Sequence, residues 1–512
     1  MSILNFVPSG YKLRPLQKDV LQKVEKHYFT HEVLVLECDV GSGKSLIAKT
    51  IANWLQHQKT STAIVTPRVD LMDQYENTFP DTPVLKGSDR YTCEELETSC
   101  GSMLERCGNC VYEKAKYKAD DSWQTIYNIQ TYNYSRIRAS KVRSLAPKVD
   151  VSKFFKDVVI IDEAHMASRV LFDSYTIKLN SGKENRFPPK YKTIDHVVIW
   201  LEKEVKILKN TIDSMLQSEH PDEDEIKYLR NRKEKYINIV DGVRRSPKGF
   251  NFHYSTKKEG RKTVKIIQIT PTTLEYVKPK LWGRQTKCVI LMSATFKPMD
   301  LKYLGLGGRK QFWINGGHSI PADRRPIDVS KSVNMSLAYQ EQNMDTLVRL
   351  IKEKENLHKG KGLIHCTYSI SDKLKNKLKG DRYIFHSSDT RESALREFRE
   401  SSDKILVACG MSEGLDLYGK DYEWQGIVKI QYPNLGEPLY RYWSNNDPER
   451  YNWMTATWLQ QACGRICRSA EDYGITYIFD SSFGNIVQGK YGFYQRAKHL
   501  LTDHFKKRIK WT

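Results

Sequence analysis

The sequence predicts an α/β protein built on two parallel sheets with helices on both faces of each. Three observations carry that prediction. Short apolar runs alternate with helical periodicities twice along the chain, a glycine-rich bend joins strand to helix at the start of the first series, and Gly305-Leu-Gly-Gly308 with Gly316-Gly317 separates the two series. A boundary near 312 gives a first lobe over 1–312 and a second over 313–512. The first lobe is interrupted by a cysteine-rich segment over 86–125 and by a helical insertion over 168–260.

The first element is the run Val33 to Leu36, a buried strand, which breaks at Gly41-Ser-Gly43 and resumes as a helix from Leu46. At such a bend the backbone N–H groups and the positive end of the helix dipole converge, and glycine lets phosphate oxygens approach. Lys44 is placed to neutralise the β- and γ-phosphates of ATP and Ser45 to hold Mg²⁺, with Gly41, Ser42 and Gly43 as the cradle. Upstream, Gln17 lies in Arg14-Pro-Leu-Gln17, where its amide could read an adenine edge or simply belong to a surface helix.

Thr62 to Pro67 is a second strand, followed by a helix bearing Leu71, Met72 and Tyr75. The carboxyl ends of parallel strands face the ligand, which puts Thr66 and Arg68 on the functional side. The pattern then stops. Cys93, Cys100, Cys107 and Cys110, spaced C-x6-C-x6-C-x2-C, lie among few apolar residues, so a metal cross-link is the natural source of order there. Zinc and a [4Fe–4S] cluster both accept four thiolates, and spacing does not choose between them.

Val158 to Ile161 is an apolar strand that delivers Asp162 and Glu163 at its carboxyl end, ahead of Ala164-His165. Facing a phosphate loop, Asp162 suits Mg²⁺ and Glu163 suits polarisation of the attacking water. Between 195 and 245, Leu201, Val205, Leu208, Ile212 and Met215 recur at helical steps, as do Ile226, Leu229, Tyr236 and Val240. That pattern predicts a helical hairpin whose apolar stripe is its own core, with no evident chemistry. Ser293 and Thr295 end a further strand and are placed to relay a hydrogen bond from the acid pair. In the second series, strands are expected at 362–366, 383–385, 405–408, 426–430 and 475–479. Gln460 to Arg468 is expected at a helical position, which would set Arg465 and Arg468 on one face as guanidinium groups for a phosphate transition state.

The net charge of +21, from 82 Lys and Arg against 61 Asp and Glu, points to a polyanionic partner. No apolar run approaches the roughly 20 residues of a membrane span, and the N-terminus lacks a signal-peptide pattern. The expectation is a soluble intracellular protein, cytoplasmic in a prokaryotic or viral setting and nuclear in a eukaryote.

The ordered set resembles the superfamily 2 helicases, and within them the Rad3/XPD/DinG iron–sulfur group. The residues that carry the resemblance are Arg14 to Gln17, Gly41 to Ser45, the four cysteines ahead of Asp162-Glu-Ala-His165, Ser293-Ala-Thr295, Ser412-Glu-Gly-Leu-Asp416, and Gln461 to Ser469 with Asp472-Tyr-Gly474. The resemblance implies two RecA-like lobes, a [4Fe–4S] domain with zinc as the alternative occupant, and an arch-like helical insertion. It further implies ATP-driven movement along single-stranded DNA, 5′ to 3′, with unwinding of forked duplex, by a chain acting as a monomer; a translocase or RNA helicase that leaves duplex DNA intact is the alternative. Asp416 joins the nucleotide-binding set and Gln461 the catalytic set on this basis. Strand contacts are expected from Thr66, Arg68, Tyr134 and Tyr368.

Overall fold

A computed structural model describes the chain except residues 40, 96, 102–106, 137–154, 184–185, 220, 261, 276–281, 284–285, 412–416, 418–420, 468, 489–497 and 511–512. Arg468 and Asp416, with the whole Ser412 to Asp416 motif, lie outside the described residues. Two compact units emerge, Met1–Cys38 with Gly43–Gly316, and Asp39–Ser42 with Gly317–Thr512.

The first unit holds β1 (Val33–Glu37), β2 (Thr62–Thr66), β3 (Val84–Leu85), β4 (Gln124–Asn128), β5 (Val158–Ile161), β6 (Ile177–Asn180), β7 (Phe250–Glu259), β8 (Lys262–Pro271), β9 (Cys288–Ser293) and β10 (Gln311–Asn315). Seven of these form one parallel sheet in the order β10-β1-β9-β5-β2-β4-β3. Its central strands are buried on both faces, which is why they read as unbroken Val, Ile and Leu runs rather than as alternation. Leu34, Leu36, Ile64 and Ile160 pack against Val20, Leu21, Ile47, Ile51 and Met72 from the flanking helices. Because β10 pairs with β1, the unit runs to Gly316, and the boundary expected at 312 falls inside a strand.

The order matters for the site. β9 follows β5 in sequence yet enters between β1 and β5, so the glycine bend after β1, Ser293 at the end of β9 and Asp162 after β5 stand side by side at one sheet edge.

The insertion departs from expectation. Helices Ile194–Leu216 and Glu223–Arg245 do pair, but their apolar stripe is not only its own core. It also packs on an antiparallel sheet ordered β6-β8-β7, through Ile177, Leu179, Ile267 and Ile269. β7 and β8 are long and rich in Lys, Thr and Ser, and their exposed ends conceal the buried half of the pattern.

The second unit holds β11 (Ile327–Asp328), β12 (Lys361–Cys366), β13 (Tyr383–Phe385), β14 (Ile405–Cys409), β15 (Tyr422–Ile427), β16 (Ile475–Ile478) and β17 (Ile509–Lys510). They make a parallel sheet ordered β13-β14-β12-β15-β16-β11-β17, with Ile364, Val407 and Ile351 in the core of one face and Leu363, Leu406 and Phe398 in that of the other. β15 begins at Tyr422 rather than 426, since Trp424 is an inward residue that packs over Gly362.

Candidate nucleotide site and four-cysteine centre

The bend after β1 is left-handed at Gly41 (φ 80°) and Gly43 (φ 77°), a backbone that side chains resist. A Cβ on Gly43 would stand 2.4 Å from the Gln17 amide nitrogen, so a second reason for glycine there is the close approach of that side chain. Gln17 is buried, and its Oε1 accepts the Arg14 backbone N–H at 2.8 Å. It is thus held against the loop, and the surface-helix alternative does not describe it.

The helix Lys44–His57 starts at the lysine, so the loop amides and the dipole point to one place. The Lys44 ammonium, 8% exposed, pairs with Glu163 Oε1 at 3.1 Å. Burial works against its charge, but Glu163 and Asp162 hold its pKa above the ordinary value. Asp162 accepts the Tyr75 hydroxyl at 2.9 Å on Oδ2 and the Glu163 N–H at 2.9 Å on Oδ1. Burial first, and then the neighbouring Glu163 carboxylate, push the Asp162 pKa up to about 6. Glu163 itself has φ 49°, ψ 47°, a left-handed backbone in a non-glycine residue, which is strain held at the point where the carboxylate turns toward Lys44.

His165 completes the edge. Its Nδ1 lies 3.0 Å from Ser293 Oγ and 3.4 Å from Glu163 Oε2, and Ser293 Oγ also accepts the Thr295 N–H at 3.1 Å. Ser293 is thus brought beside the acid pair through His165, the member that sequence reasoning left without a role, whereas Thr295 joins by its backbone N–H rather than by its hydroxyl. Tyr75 was missed as well. It falls on the apolar stripe with Met72, and only the adjacency of β2 and β5 brings its hydroxyl to a carboxylate.

In the second unit the helix Pro448–Ala462 ends before the arginines. The helical placement of Gln460 to Arg468 therefore needs correction: Arg465 lies past the helix end and turns back on it. Its Nε donates to the Gln461 carbonyl at 3.0 Å and its Nη2 to Gln461 Oε1 at 2.8 Å, both residues being buried. A cation on the last carbonyls complements the helix C-terminus and fixes the guanidinium plane.

The expected strand contacts divide. Thr66 is fully buried and its hydroxyl donates to the Arg68 carbonyl at 2.9 Å, so it presents no surface to a strand. Its burial between β4 and β5 is what any central strand imposes. Arg68 holds Asp70 through Nε at 2.8 Å and Nη2 at 2.5 Å. Tyr134 and Tyr368 are exposed.

The four cysteines come together. Cys93, Cys100 and Cys110 are buried in one cluster with Cys107 and Tyr112, all four in the thiol form, and Cys93 Sγ lies 3.6 Å from Cys107 Sγ. Four convergent sulfurs on a segment with almost no other core fit a tetrathiolate metal centre.

Against known families, residues 10–194 match the type III restriction enzyme res subunit and residues 355–492 match the helicase C-terminal domain. The fold matches an XPD helicase over 95% of this chain and 98% of that one, at TM-score 0.59 and 15% identity. It likewise matches Xpd4 of S. tokodaii (97% and 99% covered, TM-score 0.57, 15% identity) and an apo XPD structure (93% and 98%, 0.55, 15%). These two family matches, on two parallel-sheet units, make the chain a superfamily 2 helicase, an ATP-dependent enzyme. The XPD structures share its fold along nearly the whole length of the chain. No helix among the described residues is long and apolar enough to cross a membrane.

Proposed function

We propose that this helicase hydrolyses ATP to move along single-stranded DNA, 5′ to 3′, and opens forked duplex. The observation that carries the reading is the convergence of Lys44, Asp162 and Glu163 at one buried sheet edge, where the two carboxylates keep the Lys44 ammonium charged and ready for a phosphate. ATP displaces Glu163 from Lys44, which then neutralises the phosphates within the amides of Gly41, Ser42 and Gly43. Ser45 and Asp162 supply oxygens for Mg²⁺, a hard cation suited to this donor set. Glu163 orients water, with His165 and Ser293 fixing its position. Gln17 reads the base, and Arg465, backed by Gln461, stabilises the charge that develops on the transferred phosphate. Arg468 and Asp416 join these sets through the family resemblance alone.

The segment over 86–125 is proposed as a metal domain held by Cys93, Cys100, Cys107 and Cys110, and that over 168–260 as an arch. Following the resemblance, the centre is a [4Fe–4S] cluster, whose part when bound is to stiffen a wedge rather than to carry electrons. Zinc is the second reading, since it too accepts four thiolates. Anaerobic purification decides: brown protein with iron supports the cluster, colourless protein with one zinc per chain supports the other.

The test of the main reading compares ATP turnover with single-stranded DNA, with RNA and without either, and follows strand displacement from a forked duplex. Stimulation by DNA with displacement is expected. Stimulation by RNA alone, or turnover without displacement, refutes DNA unwinding.

A further inference from the structure

The insertion, silent in sequence, carries a groove of about 240 Å³ between β6 and the helix Glu223–Arg245. Lys178 on the strand and Arg232 and Lys235 on the helix line it, together with Tyr228, Asn231 and Tyr236, and no carboxylate is among its lining residues. Tyr228 is 52% exposed, a large aromatic face left toward solvent beside three cations. Arg232 is oriented in advance: its Nε donates to the Tyr236 hydroxyl at 2.7 Å, and the guanidinium lies over that ring. β6 is the edge strand of its sheet, with β8 as its one sheet partner among the described residues, so backbone polar groups also border the groove. One turn earlier on the same helix face, Lys227 binds the Gly101 carbonyl and, at 3.1 Å, the Asp89 carboxylate. The helix thereby links the groove to the cysteine-bearing segment, and Lys227, Asn231 and Lys235, four residues apart, form one strip.

We infer that this groove is a single-stranded nucleic-acid subsite, in which a base stacks on Tyr228 while Lys178, Arg232 and Lys235 hold the adjoining phosphates. Phosphate chains with exposed bases match both halves of the lining, cations and an aromatic face, and stacking on tyrosine tolerates any base. The groove thus holds the strand away from the two large sheets, beside the segment that bears Cys100. The inference rests on the nucleic-acid substrate proposed above and adds a place for it.

The experiment uses the full chain and a variant carrying Lys178→Gln, Tyr228→Ala and Lys235→Gln, three exposed positions outside the nucleotide site. Binding of fluorescent oligothymidylate is followed by anisotropy over a range of salt, with the melting midpoint as a check of the fold. Loss of two phosphate contacts lowers the slope of log affinity against log salt by about 1.4, and loss of the stacked base adds a weakening of about tenfold or more. ATP turnover without nucleic acid stays at the parent value. A variant with the parent's slope and affinity overturns the groove, as does a parent that binds no oligonucleotide. A parent whose binding depends on the groove but whose ATPase the strand does not stimulate overturns the motor and leaves the groove standing. Photocross-linking of an iododeoxyuridine oligonucleotide to the parent chain supplies a readout independent of variant folding. A cross-link on the peptide containing Tyr228 is expected, and cross-links elsewhere alone, or displacement of the oligonucleotide by polyglutamate more readily than by unlabelled strand, refute the assignment.

Discussion

Replacing Glu163 by glutamine separates the two jobs the structure gives this carboxylate. Its Oε1 lies 3.1 Å from a Lys44 ammonium that is 8% exposed, and its Oε2 lies 3.4 Å from His165. Two unit charges at that distance attract by about 5 kcal/mol at an effective dielectric of 20. Desolvation offsets much of this, Asp162 remains beside Lys44, and Glu163 is 24% exposed, so the net hold on the ammonium is about 1–2 kcal/mol. ATP has to displace that carboxylate. The glutamine variant should therefore bind Mg²⁺-ATP about tenfold more tightly, while turnover falls by about 10² to 10⁴ because the group that orients water has lost its charge. Titration with a fluorescent ATP analogue and a steady-state phosphate-release assay read the two effects separately. Turnover within threefold of the parent, or weaker nucleotide binding, would show that Glu163 is not the water-orienting base and that the Lys44 pair is not a resting contact.

The raised Asp162 pKa, about 6, predicts an acid limb in the pH profile of activity. Mg²⁺ needs the carboxylate, so Mg²⁺-ATP affinity should fall about tenfold per pH unit below that value and level off above it; a flat profile from pH 5 to 7 contradicts the assignment. Because the folded-state pKa lies above the unfolded one, the folded chain takes up a proton between about pH 4 and 6, and this group's contribution to stability rises as pH falls through that window. Gly43→Ala should cost about 1–2 kcal/mol through its φ of 77° and push the Gln17 amide aside, lowering the melting midpoint and eroding preference for ATP over GTP; an unchanged midpoint and unchanged preference count against both. Arg465→Lys should leave ATP affinity within threefold while turnover drops at least tenfold, since an ammonium cannot reproduce the two-point contact with Gln461. Cys107→Ser should abolish metal retention and unwinding but leave part of the DNA-stimulated ATP turnover, and unwinding that survives metal loss refutes the wedge.

Much of the frame is local and so was legible in the chain itself. Val33 to Leu36, Thr62 to Thr66 and Val158 to Ile161 announce buried parallel strands by composition, because both of their faces are covered. The glycine bend with Lys44, the Asp162-Glu163 pair and the four clustered cysteines are short motifs whose chemistry depends on neighbours in sequence. What tertiary structure alone decided are the relations between distant segments. Strand order carries β9 between β1 and β5 and turns Ser293 into a partner of His165; a helix stripe that reads as core delivers the Tyr75 hydroxyl to Asp162; and the end of a helix at Ala462 places Arg465 on its C-terminal carbonyl rather than on its face. The groove on the insertion belongs to the same class, since Lys178 and Lys235 meet only after the long hairpin of β7 and β8 has folded back. The physical reason is common to all four: periodicity and composition report what a residue does to its own strand or helix, whereas hydrogen bonds and charges act across space, and a one-dimensional pattern contains no term for them until the sheet has chosen its order.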